Sequence, residues 1–335
     1  MMTTLALKTN NDPLLSVRRF LQKIWATVGL ESMIIPVYQR ERMTVQSALI
    51  DNPDYLLDAD PFAPLMQTNA GRMVAQLAKI HTHPHKAAVL RACEIRALDE
   101  YVRREGLNLE NWLIIAVDCV ACFPAQDFDW RVEKAGNVEM LTRQVLRNAR
   151  QGGIAPYRFR SACQMCSGPE PSHVDMCIQL LGLPVKETLL VAVKNQVIAD
   201  ELDLRNATDG PAPAALINQR ERMLEKIETR RRKVREWKIA QLPPDMPANI
   251  EQLTHFLMNC QPCTACMAAC PVHADELVPA AKNGTLTHKM VTRWLQSCAE
   301  CGMCEQACPK GIPLAAIMDR ITPILNVPET FRVLT

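Results

Sequence analysis

The strongest constraint on the fold of this chain is a pair of cysteine runs in its last third. Each run has the spacing C-x2-C-x2-C-x3-C and is followed directly by proline. The cysteines of the two runs are Cys260, Cys263, Cys266 and Cys270, then Cys298, Cys301, Cys304 and Cys308. Because each run must bend into a tight loop, this part of the chain has to fold around whatever the thiolates bind.

This spacing is typical of a pair of [4Fe–4S] clusters. Three cysteines of a run bind one cluster, whereas the fourth points away from it and binds the other cluster. The sequence therefore predicts two crossed ligand sets. Site 1 comprises Cys260, Cys263, Cys266 and Cys308, and site 2 comprises Cys270, Cys298, Cys301 and Cys304.

Zinc and disulfides are the alternatives for these cysteines. Zinc sites are usually built from pairs of C-x2-C rather than from four-cysteine runs with a trailing proline. Disulfides need an oxidising compartment, and residues 1–10 lack the apolar stretch of a secretion signal. We therefore favour two clusters, and the 14 cysteines of the chain indicate metal ligation in a reducing cytoplasm.

Length and composition limit the architecture and the classes of partner. A chain of 335 residues is expected to form two or three domains. It contains no run of 18 apolar residues, so we expect no insertion into a membrane. A net charge of +2 favours neither nucleic acid nor an anionic membrane surface as a partner. We expect a cytoplasmic protein, free or attached to a membrane complex through its partners.

The middle of the chain has the pattern of an α/β domain. Short apolar runs at 86–91 and 112–118 predict two buried strands, and the amphipathic stretch 94–105 between them predicts a helix. This order is typical of a βαβ unit with a parallel strand pair. A further strand is predicted over 189–194. The fold class is therefore an α/β N-terminal domain with a partly parallel sheet, joined to an α-helical two-cluster ferredoxin-like domain.

Four segments are expected along the chain. They are a helical and irregular N-terminal region, an α/β core, a charged helix with a proline-rich linker, and the dicluster domain, over residues 1–85, 86–215, 216–248 and 249–335. The charged helix has nine basic and four acidic residues between Gln219 and Lys238. No groove-reading motif accompanies them, so we interpret this segment as a solvated helix with i,i+4 ion pairs rather than a nucleic-acid surface.

The other cysteines suggest a third metal site. Cys93 and Cys119 each follow a predicted strand, and the carboxyl edge of an open parallel sheet is where ligand sites form. Cys163 and Cys166 form a C-x2-C pair. These four thiolates could hold a third cluster, although a buried cysteine can be a small hydrophobe and C-x2-C is also a redox or zinc motif. The spacing leaves two cysteines without a role, Cys122 and Cys177.

A resemblance to a known family rests on these same residues. The run 85–98 with Cys93, the strand 113–119 ending in Cys119, and the pair Cys163 and Cys166 resemble the core of the beta subunits of methanogen formate dehydrogenase and of coenzyme F-420-reducing hydrogenase. The stretch 308–314 is similar to the end of the double cluster motif in the formate dehydrogenase subunits. The resemblance covers about residues 80 to 325.

The resemblance implies cofactors and partners. It implies that Cys93, Cys119, Cys163 and Cys166 bind a [4Fe–4S] cluster beside a flavin. It also implies two kinds of partner, a catalytic subunit of the formate dehydrogenase alpha or hydrogenase type and a further electron-transfer subunit. The function that follows is an electron-transfer subunit relaying electrons between them. The alternative is a flavin-containing oxidoreductase subunit that reduces coenzyme F-420 or NAD.

The N-terminal segment departs from this family. Flavin-containing members have a glycine-rich segment there, whereas residues 1–85 contain only Gly29 and Gly71. Close approach of the backbone to a phosphate or a ring usually needs glycine. We therefore predict that the chain binds neither FAD nor FMN and has no catalytic residues of its own.

Three histidines precede the first strand of the α/β core, at positions 81, 83 and 85. No cysteine or carboxylate lies near His81, His83 and His85 in sequence. We interpret them as an exposed loop rather than a metal site.

Overall fold

The structure is a computed structural model that describes residues 3–80, 85–153, 158–168, 174–260 and 262–325. The chain forms two compact units, and each is discontinuous in sequence. The first unit comprises Met1–Phe159 and Gly168–Thr229, and the second comprises Arg160–Ser167 and Arg230–Thr335.

A mixed β-sheet organises the first unit. Among the described residues its seven strands are β1 (Thr3–Lys8), β2 (Ser32–Gln39), β3 (Thr44–Ile50), β4 (Lys86–Arg91), β5 (Trp112–Val117), β6 (Met176–Gln179) and β7 (Thr188–Val193). Their order across the sheet is β1-β7-β6-β5-β4-β2-β3. The four strands β2, β4, β5 and β6 pair in parallel, whereas β1, β3 and β7 pair antiparallel with their neighbours. The predicted α/β domain with a partly parallel sheet is confirmed.

Nine α-helices occur in the described residues up to Ala240. They are α1 (Pro13–Val28), α2 (Ala70–Ile80), α3 (Ala92–Glu105), α4 (Ala125–Ala135), α5 (Val138–Leu146), α6 (Ser161–Met165), α7 (Gln196–Glu201), α8 (Leu204–Ala207) and α9 (Ala214–Ala240). The ends of α1 illustrate the local causes: Asp12 accepts the N–H of Leu15, Pro13 starts the first turn, and Gly29 ends the helix at φ 60°.

The βαβ pattern appears where the sequence predicts it. Every residue of β4 is buried, and β4 pairs in parallel with β5 along its length. A central parallel strand is covered on both faces, which is why its sequence is a continuous apolar run rather than an alternating one. Gly106 ends α3 at φ 63°, as its place after the amphipathic stretch predicts.

The prediction of a helical and irregular region over residues 1–85 missed three strands, β1, β2 and β3. β1 is an edge strand whose partner β7 lies far along the chain, with Thr3 opposite Val193. Such a pairing leaves no local signal in the sequence. β2 contains Pro36, which argues against a central strand. Pro36 lies beyond the residues of β2 that pair with β4, namely Ser32 to Ile34, so its missing N–H is tolerated.

Helices are the only regular secondary structure in the described residues of the second unit, and irregular segments join them. Besides α6 and the last part of α9, it contains α10 (Ile250–Asn259), α11 (Ala265–Ala268), α12 (Ala274–Lys282), α13 (His288–Gln296), α14 (Met303–Gln306) and α15 (Leu314–Ile321). Side-chain caps start two of these helices, with Asn249 accepting from Gln252 N and Thr287 from Met290 N. Across the described residues, no helix has both the length and the apolar character needed to cross a bilayer.

The boundary between the units falls within the predicted segment of charged helix and proline-rich linker over 216–248. It lies inside α9, between Thr229 and Arg230, rather than in the proline-rich part, and residues 160–167 also belong to the second unit. Side chains distant in sequence hold that short segment in the second unit, since Arg235 donates to the Met165 carbonyl at 2.6 Å. The interpretation of α9 as a solvated helix holds only for part of its charged residues, because Arg220 and Arg231 are buried.

Candidate metal centre

Site 1 is built from the end of one helix and the start of another. Cys260 caps the C-terminus of α10, and its N–H donates to the Leu257 carbonyl at 3.2 Å. The N–H of Cys263 then donates to the Cys260 carbonyl at 3.2 Å, which closes a tight turn before α11. The four thiols of site 1 line one pocket, together with Phe256, Leu257, Pro309, Lys310, Ile312 and Leu314. Cys308 therefore lies with the first cysteine run, where the crossed arrangement places it.

The close packing of four thiols in site 1 favours a bound cation that takes the cysteine sulfurs as ligands. Burial and, to a lesser extent, negative charge on Cys308, Cys260 and Cys263 together raise the pKa of the Cys266 thiol to about 11. Four thiolates held this close oppose one another's ionisation unless a positive group sits among them. Metal binding supplies that charge and releases the protons. A donor set made only of thiols fits an iron–sulfur cluster.

Site 2 has the same character but is more deeply buried. Burial raises the pKa of the Cys304 thiol well above its ordinary value, and the negative charges of Cys298, Cys301 and Cys270 raise it further. Of the four thiols, Cys270, Cys301 and Cys304 are buried, whereas all four of site 1 are partly exposed. The structure thus brings the predicted members of each set together. That these thiols bind clusters stays a prediction. In the described ranges, no three His, Cys, Asp or Glu side chains are arranged to hold a single metal ion.

A polar network that begins at a buried histidine lies beside site 2, and the cysteine spacing gives no sign of it. His273, which is 1% exposed, has its Nε2 2.5 Å from Ser297 Oγ. Ser297 Oγ donates to the Arg293 carbonyl at 2.6 Å, and Arg293 donates to Glu276 at 2.8 Å. His273 follows Cys270 by three residues and Ser297 directly precedes Cys298. The network therefore connects the two runs at the ligands of site 2.

The C-x2-C pair predicted for the third cluster lies on α6 and at its end. Arg160 donates to Cys163 Sγ at 3.7 Å and to Gln306 Oε1 at 3.3 Å. At the other end, the Ser167 N–H donates to Glu300 Oε2 at 3.0 Å. The residues at both ends of α6 therefore contact the second cysteine run.

Gly302 allows the close approach of α6. This glycine has φ 65°, and a Cβ atom on it would lie 2.4 Å from the Cβ of Ala162. Glycine is needed there both for the backbone conformation and for the contact. Ala162 and Met165 line the pocket that also contains Cys298 and Cys304. Within the second unit, the C-x2-C segment is thus a neighbour of site 2.

Cys93 and Cys119 lie at the carboxyl edge of the sheet in the first unit. β4 ends at Arg91 and β5 at Val117, and these two residues are opposite each other in the parallel register. Cys93 then falls in the first turn of α3, and Cys119 follows β5 by two residues. Cys163 and Cys166 belong to the second unit, and a third cluster held by all four stays a prediction.

A buried arginine stands among the thiols of the first unit. Arg91 is 4% exposed and donates to the carbonyls of Ala63 at 2.7 Å and Leu65 at 3.0 Å. Burial alone would lower its pKa, but negative charge on nearby groups outweighs burial and raises the pKa above its ordinary value. In order of effect these groups are Cys122, Glu94, Cys119 and Cys93. The burial of Arg91 could not be predicted, because the sequence does not distinguish a buried arginine at the end of an apolar run from an exposed one.

The two cysteines without a predicted role are buried in the first unit. Cys177 lies on β6 within the hydrophobic core that includes Leu90, Ile114 and Ala192. Cys122 is 1% exposed. It follows Ala121, whose φ of 102° is unusual for a residue other than glycine. Cys177 is therefore a core residue, whereas Cys122 lies next to the backbone distortion after β5.

The two glycines of the N-terminal segment have structural roles. Gly29 ends α1, and Gly71 lies in α2, where a Cβ atom would come within 2.0 Å of the Glu94 carbonyl oxygen. Gly71 therefore allows α2 to approach α3. Neither glycine forms a Gly-Gly turn, and the lack of a flavin stays a prediction. His81 and His83 fall outside the described residues, and His85 directly precedes β4.

Comparison with known proteins identifies one part of the chain. Residues 259–312 match the family model described as a 4Fe-4S dicluster domain. This range contains all eight cysteines of the two runs, so the predicted dicluster domain is confirmed. No curated protein matches the chain.

One similar solved structure is a chain of the F420-reducing [NiFe] hydrogenase complex from Methanosarcina barkeri, studied by xenon derivatization. Its TM-score is 0.49 at 10% sequence identity, over 72% of this chain and 92% of that chain. A likeness of this strength does not establish a shared family or function.

Proposed function

We propose that this chain is an iron–sulfur electron-transfer subunit of a multisubunit redox complex. The observation that carries the proposal is the dicluster domain over residues 259–312. Four of its eight cysteines line one pocket, and the other four lie close enough for their charges to interact. Bound [4Fe–4S] clusters supply one-electron exchange. The chain contributes the thiolates, the burial around them and the polar groups near the sulfurs, which together set cluster potentials.

The proposal includes a third cluster and specific partners. Cys93, Cys119, Cys163 and Cys166 are the proposed ligands of the third cluster. The resemblance to beta subunits supports a partner of the formate dehydrogenase alpha or hydrogenase type and a further electron-transfer subunit. The protein would work in the cytoplasm, free or held at a membrane complex by these partners. A flavin-containing subunit that reduces coenzyme F-420 or NAD is the alternative. It is less favoured because Gly29 and Gly71, the two N-terminal glycines, have structural roles in and at the end of helices.

Metal analysis tests the proposal directly. Anaerobically purified protein should contain about eight iron and eight sulfide per chain for two clusters, or about twelve of each with the third. Cys177→Ala is a matched control, because this core cysteine should leave the iron content unchanged. A metal content dominated by zinc would contradict the proposal.

Flavin analysis separates the two functions. The protein is denatured, any released flavin is quantified by fluorescence, and the subunits that co-purify with the native protein are identified. We expect no stoichiometric FAD or FMN. One flavin per chain would overturn this expectation and favour the oxidoreductase alternative.

A further inference from the structure

The two sulfur sites differ in their access to solvent. All four thiols of site 1 are partly exposed, whereas three of the four in site 2 are buried. Residues on the rim of site 1 are exposed as well, and Met258 on α10 has 40% of its surface exposed, whereas Leu257 and Leu314 at the base of the pocket are buried. The exposed residues that flank the site 1 cysteines in sequence are Met258, Asn259, Pro262, Pro309, Lys310 and Gly311. We call this surface the site 1 face.

The site 1 face carries a positive charge next to a ligand sulfur. Lys310 is exposed, and its Nζ donates to Cys260 Sγ at 3.6 Å. Among the described residues that line the pocket of site 1, Lys310 is the only charged one. The pocket beside site 2 is lined instead by two carboxylates, Glu300 and Asp319. The exposed site is therefore the one with a cation at its edge.

The composition of this face fits a transient protein contact. Electron-transfer complexes have small interfaces, with a central apolar area and a polar rim. Met258, Pro262 and Pro309 supply exposed apolar surface, and Lys310 supplies charge. A charge on the rim acts mainly on the rate of encounter and on its salt dependence. The charge complementary to Lys310 is a carboxylate.

We infer that the site 1 face is the docking surface for an acidic protein that carries one electron at a time near its own surface. The inference rests on the proposed function, since it assumes that site 1 holds a cluster. It goes further by choosing site 1 over site 2 as the point of contact. It also gives Lys310 the role of pairing with a carboxylate of the partner.

Binding measurements with the cluster-loaded full chain test this inference. The probe is a two-cluster bacterial ferredoxin with an acidic surface, and its Kd is measured at about 20 mM and about 300 mM salt. Lys310→Glu should weaken binding about tenfold and Lys310→Gln about threefold at the lower salt concentration. Both differences should largely vanish at the higher concentration, because salt screens exposed charges.

A matched charge reversal provides the control. Lys282 is an exposed lysine in the last turn of α12 and lines neither sulfur pocket. Lys282→Glu should leave the Kd unchanged. Met258→Asp is a second test variant, which alters the face without touching the hydrogen bond to Cys260. Met258→Asp should weaken binding with the cluster intact, even if Lys310→Glu disturbs the cluster. The iron content of every variant is measured to check this.

The outcomes separate this inference from the proposed function. Wild-type affinity in Lys310→Glu and Met258→Asp, with full iron content, overturns the docking surface alone. Equal weakening by Lys282→Glu also overturns it, because the effect would then follow net charge rather than position. A wild-type chain that takes up no cluster overturns the proposed function and this inference with it.

Discussion

Arg220 and Asp118 form a bidentate ion pair inside the first unit. Arg220 donates to the two carboxylate oxygens of Asp118 at 2.6 and 3.0 Å. The side chains are 4% and 0% exposed. Asp118 also accepts the backbone N–H groups of Leu180 and Leu181 at 2.7 and 2.9 Å. Because Asp118 directly precedes Cys119, this pair connects α9 to the end of β5 at a proposed cluster ligand.

Breaking this pair from the arginine side should be strongly destabilising. Arg220→Met leaves the Asp118 carboxylate buried without its cation, and such changes cost roughly 3–5 kcal/mol. Thermal unfolding of the cluster-loaded protein under anaerobic conditions measures the effect. Arg222→Met is the control on the same helix, because Arg222 is exposed and its loss should cost less than about 0.5 kcal/mol. Equal losses in both variants would contradict the importance of the pair.

The crossed arrangement predicts which cluster each cysteine supports. Cys308→Ser should remove the cluster of site 1, although Cys308 belongs to the second run. Cys270→Ser in the first run should in turn remove the cluster of site 2. Electron paramagnetic resonance of the reduced clusters distinguishes the two losses, and iron should fall by about four per chain in each variant. Loss of the cluster next to Cys304 in Cys308→Ser would disprove the crossing.

The third cluster makes a separate prediction about iron. If it forms, Cys163→Ser should lower the iron content by about four per chain and leave the two dicluster signals in place. Cys93→Ser should give the same result, although Cys93 belongs to the first unit. A wild-type content near eight, unchanged in both variants, would remove the third cluster while the dicluster domain remained.

Asp60 predicts an effect of pH on the stability of the first unit. Burial raises its pKa from 3.8 to about 6, against the opposing effect of hydrogen bonds from Thr142 and Phe62. The folded state therefore binds this proton more tightly than the unfolded state. The associated stability is present below pH 4 and is lost as pH rises through about 6.

Asp60→Asn tests this effect because an amide has no proton to lose. Asn can still accept the Phe62 N–H and bond to Thr142. The stability of the variant relative to wild type should increase by about 1 kcal/mol between about pH 5 and pH 7.5. Anaerobic thermal unfolding at the two pH values measures it. A relative stability independent of pH would show that Asp60 does not titrate in this range.

The sequence was sufficient where the cause of structure is local. The buried strand β4, the amphipathic helix α3 and its stop at Gly106 follow from the apolar pattern and from the freedom of glycine. The dicluster domain follows from the cysteine spacing alone, because cysteines separated by only two or three other residues must lie close together in one short segment.

The sequence was insufficient where two distant segments stabilise each other. β1 pairs with β7, which lies about 180 residues further along the chain. Arg220 donates to Asp118, and nothing in the sequence near Arg220 indicates this acceptor. Charge counts treat every arginine of α9 as solvated, so they miss Arg220 and Arg231. The His273 network beside site 2 was missed for the same reason, since its members Glu276, Arg293 and Ser297 meet only after folding.

The eight residues 160–167 belong to a unit whose remaining residues begin at Arg230. Cys163 and Cys166 therefore leave the ribosome long before Cys308, the last cysteine of the dicluster domain. At about 5–20 residues per second, this interval is on the order of ten seconds. For that time the two thiols lack Glu300 and Gln306, the residues of the second run that the segment 160–167 contacts in the folded protein. The second unit therefore cannot fold fully before the second cysteine run has been synthesised, so iron loading of site 2 should follow synthesis of Cys308.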